Sequence, residues 1–249
     1  MTPWLQLRSA LFVAWLLFTV VPVALAVVLA SWFAGGATLY RMGVFWVRLA
    51  IAGARVICGV RHRIQGMEHL PGAGEPERAV LLASKHQSAW EAFAYPVLMP
   101  RPLCYVFKKE LLRIPFFGWA IARLDMIHID RARHAEAWAA VAEQGRRVMA
   151  KGTWVIMFPE GTRIARGRQG TYKHGAARLA IETGTPIVPI AVASARCWPR
   201  KSFVLHPGVV DIRIGRPIAV RGREADELMT EVETWIEAEM RRIDPEAYR

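Results

Sequence analysis

A histidine and a glutamate lie five residues apart, directly after an apolar segment typical of a β-strand. They are His86 and Glu91 in SKHQSAWE, whose first residue ends the segment AVLLAS at 79–84. If the chain turns into a helix after His86, Glu91 can fold back and accept a hydrogen bond from one imidazole nitrogen. The other nitrogen can then act as a general base. Because this spacing also arises by chance in surface segments, it indicates only a candidate catalytic pair.

A second group of polar residues follows WVIMF, another strand-like segment. In FPEGTR, Glu160, Gly161, Thr162 and Arg163 follow one another. We predict that Arg163 binds a phosphate group, because a guanidinium can donate to two oxygens at once. Glu160, Gly161 and Thr162 are predicted to orient the substrate, Glu160 through Arg163 or a substrate hydroxyl. The alternative is an ordinary surface turn beside a basic loop.

Basic residues follow two further strand-like segments. Lys109 comes after LCYVF and Arg131 after MIHI, so we expect both to converge with Arg163 on one anionic ligand. An apolar patch lies between them and is predicted to face lipid or an acyl chain, with core packing as the alternative. The patch consists of Ile114, Phe116 and Phe117.

The segments that carry these residues alternate between strand-like and helix-like patterns. Short apolar runs predict strands at 79–84, 103–107, 126–129, 154–158, 187–192 and 209–215. Helical spacing predicts helices at 134–150 and 172–183 and a further helix near the C-terminus. This alternation predicts an α/β fold with a mixed, largely parallel sheet flanked by helices. Sites in such sheets lie beyond the strand ends, which is where the polar groups occur.

The N-terminal segment is apolar, and no acidic residue precedes Glu68. Between Arg8 and Arg41 lie 32 uncharged residues, and the run at 11–33 is long enough to cross a bilayer as a helix. A transmembrane anchor and a re-entrant two-helix hairpin both fit this pattern. A cleaved signal peptide and a buried core helix are the alternatives.

The next segment is predicted to be an amphipathic helix at a membrane interface. Arg41, Arg48 and Arg55 recur every seven residues and therefore share one helical face. We predict a membrane-associated two-helix element at 1–60 and a catalytic domain at 61–249. Because basic residues remain on the cytoplasmic side of a membrane, this domain is expected on the cytoplasmic face of the inner membrane.

The composition excludes several classes of protein. With 53% hydrophobic residues and ten Trp, the chain is too apolar to be intrinsically disordered. Cys58, Cys104 and Cys197 lie too far apart for a disulfide scaffold or a zinc motif, and no metal is expected. A net charge of +12 indicates an anionic partner, which could be nucleic acid, anionic lipid, a phosphate substrate or an acidic carrier protein.

Together the polar segments resemble the glycerolipid acyltransferase family, most closely the 1-acylglycerol-3-phosphate acyltransferases. Four blocks within residues 60–220 carry the resemblance: KHQSAWE, KKELLRIPFFG with IHIDR, FPEGTR, and VPIAV at 188–192. It implies an enzyme that moves a fatty acyl group from acyl-CoA or acyl carrier protein to the sn-2 hydroxyl of 1-acylglycerol-3-phosphate, forming phosphatidic acid in phospholipid biosynthesis. The family's commonest first block ends in Asp, whereas this chain has Glu91.

The resemblance also implies direct transfer without a cofactor, since a thioester is already activated. His86 would take the proton from the hydroxyl, Glu91 would stabilise the imidazolium, and backbone N–H groups near His86 would stabilise the oxyanion. The expected partners are a membrane with anionic lipid, lysophosphatidic acid and the acyl donor, and not nucleic acid. The alternatives are another lyso-lipid or glycolipid acceptor, a non-catalytic membrane-anchored protein and a nucleic-acid-binding protein.

Overall fold

The computed structural model describes residues 3–72, 79–129 and 134–248, with the backbone alone for residues 134–137. Two long helices begin the chain, α1 (Pro3–Ala30) and α2 (Gly36–Cys58). Gly59 follows the last residue of α2, and its φ of 73° favours glycine at this position. Both helices that the sequence patterns predict in this region are therefore present.

The two helices pack against each other and run in opposite directions. The indole N–H of Trp15 on α1 donates to the carbonyl oxygen of Leu49 on α2 at 2.9 Å. The indole N–H of Trp46 on α2 donates to the hydroxyl of Thr19 on α1 at 3.2 Å. Because a buried indole N–H needs an acceptor, these two bonds help to fix how the helices are aligned.

The first turns of α1 also pack on the rest of the protein. The Ser9 hydroxyl accepts a hydrogen bond from the backbone N–H of Leu205 at 2.9 Å. Phe12 contacts Trp198 edge-on, with ring centroids 5.5 Å apart, and is completely covered. The helix pair is thus joined directly to the domain that follows it.

Most of α1 nevertheless remains uncovered. Only 22% of its most apolar 18-residue window is buried, which does not fit the alternative of a buried core helix. With 28 residues, α1 extends about 42 Å and is long and apolar enough to cross a membrane. Its exposed large apolar side chains are Trp4, Leu7, Leu11, Val13, Leu17, Phe18, Leu25 and Leu29.

A sheet of seven strands follows within the described residues. The strands are β1 (Val60–Gln65), β2 (Leu81–Ser84), β3 (Leu103–Lys108), β4 (Ile127–Ile129), β5 (Trp154–Met157), β6 (Ile187–Val192) and β7 (Gly208–Ile214), in the order β1-β7-β6-β2-β5-β3-β4. All neighbouring strands are parallel except β6 and β7, which are antiparallel. The predicted mixed, largely parallel sheet is confirmed.

β1 is the strand that the sequence patterns did not predict. Its sequence, VRHRIQ, carries polar or charged residues at most positions, so it lacks an apolar run. It lies at one edge of the sheet, where β7 is its one partner among the described strands, and most of its side chains are exposed. An edge strand can remain this polar because neither face has to be fully covered.

Helices cover both faces of the sheet. α3 (Trp90–Leu98) shares one buried cluster with the first turns of α1 and the last turns of α2. The other cluster contains α5 (His134–Met149), α6 (Gly175–Thr183) and α7 (Ala225–Ile243), and the short α4 (Phe117–Ile121) follows β3. Successive strand residues point to opposite faces, so Leu81 belongs to the second cluster and Leu82 to the first.

Candidate active site

The structure brings His86 and Glu91 together where β2 leads into α3. β2 ends at Ser84, and Glu91 is the second residue of α3. The Nδ1 atom of His86 lies 3.2 Å from Oε2 of Glu91. This is the pairing that the five-residue spacing predicts if a helix follows His86. A carboxylate oxygen accepts hydrogen bonds, so this contact favours the imidazole tautomer with the proton on Nδ1 and the lone pair on Nε2.

Glu91 is fully buried and held by several donors. The backbone N–H groups of Gln87 and Ser88 donate to its Oε1 at 3.0 Å, and the Ser88 N–H also reaches Oε2 at 3.0 Å. The Ser194 hydroxyl donates to Oε1 as well. These donors hold the Glu91 carboxylate in place, so the group that contacts Nδ1 of His86 is itself fixed.

Replacing Ser194 with Ala should lower the free energy of unfolding by about 1.5–3 kcal/mol, because Glu91 loses a donor in a buried site. Urea unfolding followed by circular dichroism in detergent measures this change. Ser202→Ala is the matched control, because the Ser202 hydroxyl bonds to the backbone of Val204 in a partly buried loop and hydrogen-bonds to no charged group among the described residues. A loss for Ser194→Ala no larger than that of the control would contradict the prediction.

His86 is also tied to the FPEGTR segment. Its backbone N–H donates to Oε2 of Glu160 at 3.1 Å, and its carbonyl oxygen accepts from the N–H of Ile164 at 2.8 Å. The imidazole stacks on Phe158, with ring centroids 3.9 Å apart, and its side chain is 15% exposed. The two motifs, far apart in sequence, therefore form one structural unit.

Glu160 faces the interior of the protein. Its Oε1 accepts from Nζ of Lys85 at 2.8 Å and from the N–H of Gly170 at 3.1 Å, while Oε2 accepts from His86. Burial raises the pKa of this carboxyl, and the adjacent Lys85 ammonium opposes that change. Glu160 is 4% exposed, and its carboxylate organises the protein chain around His86. The sequence pattern predicts a contact with Arg163 or a substrate hydroxyl, and the structure corrects this.

The three residues after Glu160 lie at the surface of a large cavity. Gly161 has a φ of 65°, which lets the chain turn sharply. Thr162 and Arg163 are exposed, and all three residues line the cavity together with His86. The cavity has a volume of about 1250 Å³. The FPEGTR segment therefore places its hydroxyl and its guanidinium beside the same space as the imidazole.

The charged side chains that line this cavity are basic. The lining includes the Lys and Arg residues Lys108, Arg163, Lys173, Arg178, Arg200 and Lys201. Within the described part of the chain, no Asp or Glu is among the lining residues. A Cβ atom on Gly161 would lie 3.3 Å from Nζ of Lys173, so this ammonium is close to the FPEGTR turn. A cavity lined by one sign of charge attracts a ligand of the opposite sign.

The rest of the lining is mostly apolar and comes from several elements. Helices α1, α2 and α3, strand β3 and helix α4 all contribute, including Val20, Val27, Val44, Phe93, Phe107 and Phe117. An anionic ligand with a long hydrocarbon chain suits such a lining. The helix pair at the N-terminus thus forms part of the wall of the cavity that contains His86.

The other predicted site residues occupy different positions. Lys109 is exposed at the first residue of a 3₁₀ helix, while its neighbour Lys108 is the one that lines the cavity. Arg131 lies outside the described residues. Arg200 and Lys201 were not predicted, because no motif links them to the other basic residues along the chain.

The predicted apolar patch is divided between the cavity and the surface. Phe117 lines the cavity and contacts Trp46 of α2, with ring centroids 6.0 Å apart. Phe116 packs on Trp119 at 5.0 Å between ring centroids, and Ile114 is 44% exposed. The patch therefore faces both the cavity and the outside of the protein.

The expectation that N–H groups next to His86 stabilise an oxyanion is wrong for the nearest three. The N–H of His86 donates to Glu160, and those of Gln87 and Ser88 donate to Glu91. These donors hold His86 and Glu91 in place, so none of them is available to a ligand. The N–H groups of Gln87 and Ser88 are occupied by the carboxylate of Glu91, which belongs to the helix that follows them.

The cysteines offer no nucleophile in the cavity. Cys58, Cys104 and Cys197 are buried free thiols, and none of them is among the lining residues. Burial raises the pKa of Cys104 to about 12 and that of Cys197 to about 11. These two thiols therefore stay protonated at neutral pH and are weak nucleophiles.

Comparisons with known proteins agree with this fold and these motifs. The family model described as Acyltransferase matches residues 61–193. A 1-acyl-sn-glycerol-3-phosphate acyltransferase of Pseudomonas aeruginosa is 39% identical over 203 residues, covering 80% of this chain and 77% of that protein. The human 1-acyl-sn-glycerol-3-phosphate acyltransferase alpha is 27% identical, covering 89% of this chain and 75% of that protein.

A solved structure is similar over almost the whole length of both chains. It is the 1-acyl-sn-glycerophosphate (LPA) acyltransferase PlsC of Thermotoga maritima, with a TM-score of 0.77 and 21% identity, covering 96% of this chain and 98% of that one. At this identity the likeness supports the fold. The family match spans the His86, Glu91 and FPEGTR segments described above, and with the bacterial relative it confirms the resemblance seen in the motifs. The chain belongs to the acyltransferase family.

Proposed function

We propose that the protein transfers a fatty acyl group from an acyl thioester to the sn-2 hydroxyl of 1-acyl-sn-glycerol-3-phosphate, forming phosphatidic acid. One observation carries the proposal. His86, held by Glu91, lines a cavity that combines basic side chains with a long apolar wall. A lysophosphatidic acid has the matching parts, which are a phosphate, a free hydroxyl and a hydrocarbon chain. The names of the bacterial and human relatives support this acceptor.

The proposed transfer is direct. His86 Nε2 takes the proton of the acceptor hydroxyl while its oxygen forms a bond to the carbonyl carbon of the thioester. The carbonyl oxygen gains negative charge, and when the carbonyl re-forms, the C–S bond breaks. The leaving thiolate of coenzyme A or acyl carrier protein then takes the proton from the imidazolium. Glu91 stabilises the imidazolium, and the thioester supplies the activation, so no cofactor takes part.

Arg163 is the proposed main ligand of the acceptor's phosphate. It lines the cavity in the same turn as Gly161 and has no carboxylate partner among the described residues. Lys173 lies beside this turn, and Lys109 and Arg131 remain proposed contributors. Because an unpaired guanidinium offers several donors in one plane, it can hold two phosphate oxygens at once.

Replacing Arg163 with Ala should raise the KM for lysophosphatidic acid by about 10- to 100-fold, because a charge-assisted hydrogen bond to the phosphate is lost. The KM for 1-acylglycerol, which lacks the phosphate, should not change. Initial rates measured in mixed micelles with each acceptor test this difference.

Arg147→Ala is the matched control for this prediction. Arg147 is an exposed arginine of α5 that lies 3.9 Å from Asp125 and does not line the cavity. We expect its KM for lysophosphatidic acid to remain that of the wild type. An unchanged KM in Arg163→Ala would exclude Arg163 as the phosphate ligand.

We further propose that the protein works at a membrane surface, with its catalytic domain on the cytoplasmic face of the inner membrane. The exposed apolar side of α1 supports association with lipid. Arg41, Arg48 and Arg55 are exposed on α2, where they can interact with anionic headgroups. The acceptor is itself a membrane lipid, so a cavity walled by α1 and α2 lies on its route to His86.

A panel of acceptors and donors tests the proposed function. The purified protein is assayed in mixed micelles with acyl-CoA or acyl-acyl carrier protein and with lysophosphatidic acid, lysophosphatidylethanolamine, lysophosphatidylcholine or a glycolipid. We expect the highest kcat/KM with lysophosphatidic acid, because its phosphate group is not attached to a further headgroup. A higher kcat/KM with another lyso-lipid or a glycolipid would identify that lipid as the acceptor instead. The absence of transfer with either donor would overturn the proposal.

A further inference from the structure

α7 brings a buried carboxylate to the segment that carries His86. Glu237 is 3% exposed and lies in the second half of α7, beyond the residues that the family model matches. Its Oε1 accepts from Nζ of Lys85 at 2.6 Å and from the hydroxyl of Tyr172 at 2.8 Å. Burial raises the pKa of Tyr172, so its hydroxyl stays protonated and donates.

Lys85 connects Glu237 to the FPEGTR segment. Its ammonium is fully buried and donates to Glu237, to Oε1 of Glu160 at 2.8 Å and to the carbonyl oxygen of Arg168 at 3.2 Å. Three acceptors use all three of its protons. The two carboxylates approach the ammonium from different elements, so the side chain is held from both sides.

Glu160 connects this group to the backbone of the catalytic histidine. The oxygen that does not face Lys85 accepts from the N–H of His86. A continuous chain of hydrogen bonds therefore runs from α7 through Glu237, Lys85 and Glu160 to His86. None of the three charged members lines the cavity, so none of them contacts a ligand there directly.

Burying a group of charges opposes folding, so stability alone does not explain why this group is present. Removing ions from water opposes folding, and packed apolar side chains often replace such groups without loss of stability. This group adjoins the imidazole in sequence and in space, where a small displacement of a reacting group has a large effect on rate. The position of the group therefore indicates that it sets the geometry of His86.

We propose that Glu237 is a positioning residue for acyl transfer, which acts by holding Lys85 and, through Glu160, the backbone of His86. This inference rests on the proposed function, because a role in catalysis presupposes that the protein transfers acyl groups. It assigns to α7, a helix without a motif, a part in the catalytic geometry. The structure thus extends the functional part of the chain past the four sequence blocks.

Replacing Glu237 with Ala should lower kcat by about 10- to 100-fold, because the catalytic imidazole is displaced. The KM for lysophosphatidic acid and for the donor should stay within about twofold of the wild-type values, since Glu237 does not line the cavity. Glu231→Ala is the matched control, because Glu231 is an exposed glutamate of the same helix that pairs with Arg223. Glu231→Ala should leave kcat and both KM values unchanged.

Amide hydrogen exchange gives a second measurement that does not depend on turnover. The His86 N–H donates to Glu160, so we expect it to exchange about 10-fold faster in Glu237→Ala than in the wild type. The amides of β7 should exchange at unchanged rates. A wild-type protein without acyl transfer would contradict the proposed function, whereas the exchange rate would still decide whether Glu237 holds His86.

Glu237→Gln keeps the test valid if the Ala variant does not fold. The amide oxygen can still accept from Lys85 and Tyr172, but the negative charge is lost, so we expect a kcat about 3- to 10-fold lower with unchanged KM values. The folded fraction at the assay temperature is measured by circular dichroism. A wild-type kcat together with a wild-type His86 exchange rate in either folded variant would overturn the inference.

Discussion

His86→Ala is expected to lower kcat for acyl transfer to lysophosphatidic acid by at least about 10²–10⁴-fold, because the proposed general base is lost. The imidazole both lines the cavity and lies within hydrogen-bond distance of a buried carboxylate. The basic residues of the lining are untouched, so the KM for the acceptor should change little. Initial rates with acyl-CoA and with acyl-acyl carrier protein measure the effect.

The control for this prediction is a histidine away from the cavity. His206 lies in the loop before β7 and is not among the lining residues, so His206→Ala should retain the wild-type kcat. Near-normal transfer by folded His86→Ala would exclude the general-base mechanism. A loss that appears only in the KM would instead assign His86 to binding.

The candidate catalytic pair could be predicted from the sequence because its geometry is local. His86 and Glu91 are five residues apart, and the turn between β2 and α3 is enough to bring them together. The strands that carry the motifs are buried and apolar, so their pattern was visible too. β1 was missed because its exposed edge position permits the polar sequence VRHRIQ.

The side chains that hold this candidate pair in place could not be predicted, because they are distant from their partners in sequence. Ser194 is 103 residues from Glu91, and Glu237 is 152 residues from Lys85. Only the packing of α7 and of the segment after β6 against the sheet brings these atoms together. Glu160 illustrates the same limit: its place in FPEGTR suggested a substrate contact, and the buried Lys85 determines where its carboxylate points.

The N-terminal helices show how one element can serve two purposes. The apolar, acid-free sequence of these helices predicts a membrane element, and the exposed face of α1 agrees with that prediction. The same helices supply Val20, Val27 and Val44 to the wall of the cavity. The positive charge that first suggested many partners is likewise divided, since part of it lies on α2 and part lines the cavity beside His86.

Lys85→Met is expected to lower the free energy of unfolding at neutral pH by about 3–5 kcal/mol, because removal of one partner leaves buried charges uncompensated. Glu160 and Glu237 face the same ammonium. Without it, two carboxylates are held close together in the interior. Methionine has a similar length and packs well in irregular space, so the missing charge, and not a cavity, accounts for the loss.

The loss of stability in Lys85→Met should be larger at high pH than at low pH. Burial already raises the pKa of Glu160, and Lys85 opposes this change, so the variant should have a still higher pKa at this carboxyl in the folded state. A carboxyl whose folded-state pKa exceeds its unfolded value favours folding below the unfolded pKa, and this contribution is lost as the pH rises through the folded pKa. The difference between variant and wild type should therefore be smaller at pH 5 than at pH 8.

Urea unfolding in detergent at both pH values measures this difference. Lys151→Met is the matched control, because Lys151 is an exposed lysine 3.5 Å from Asp125, and exposed ion pairs contribute at most about 1 kcal/mol. Adding Glu160→Gln to Lys85→Met should restore part of the lost stability at pH 8, since one uncompensated charge is removed. Equal stability of Lys85→Met and Lys151→Met would show that the buried ammonium does not neutralise the two carboxylates in the folded protein.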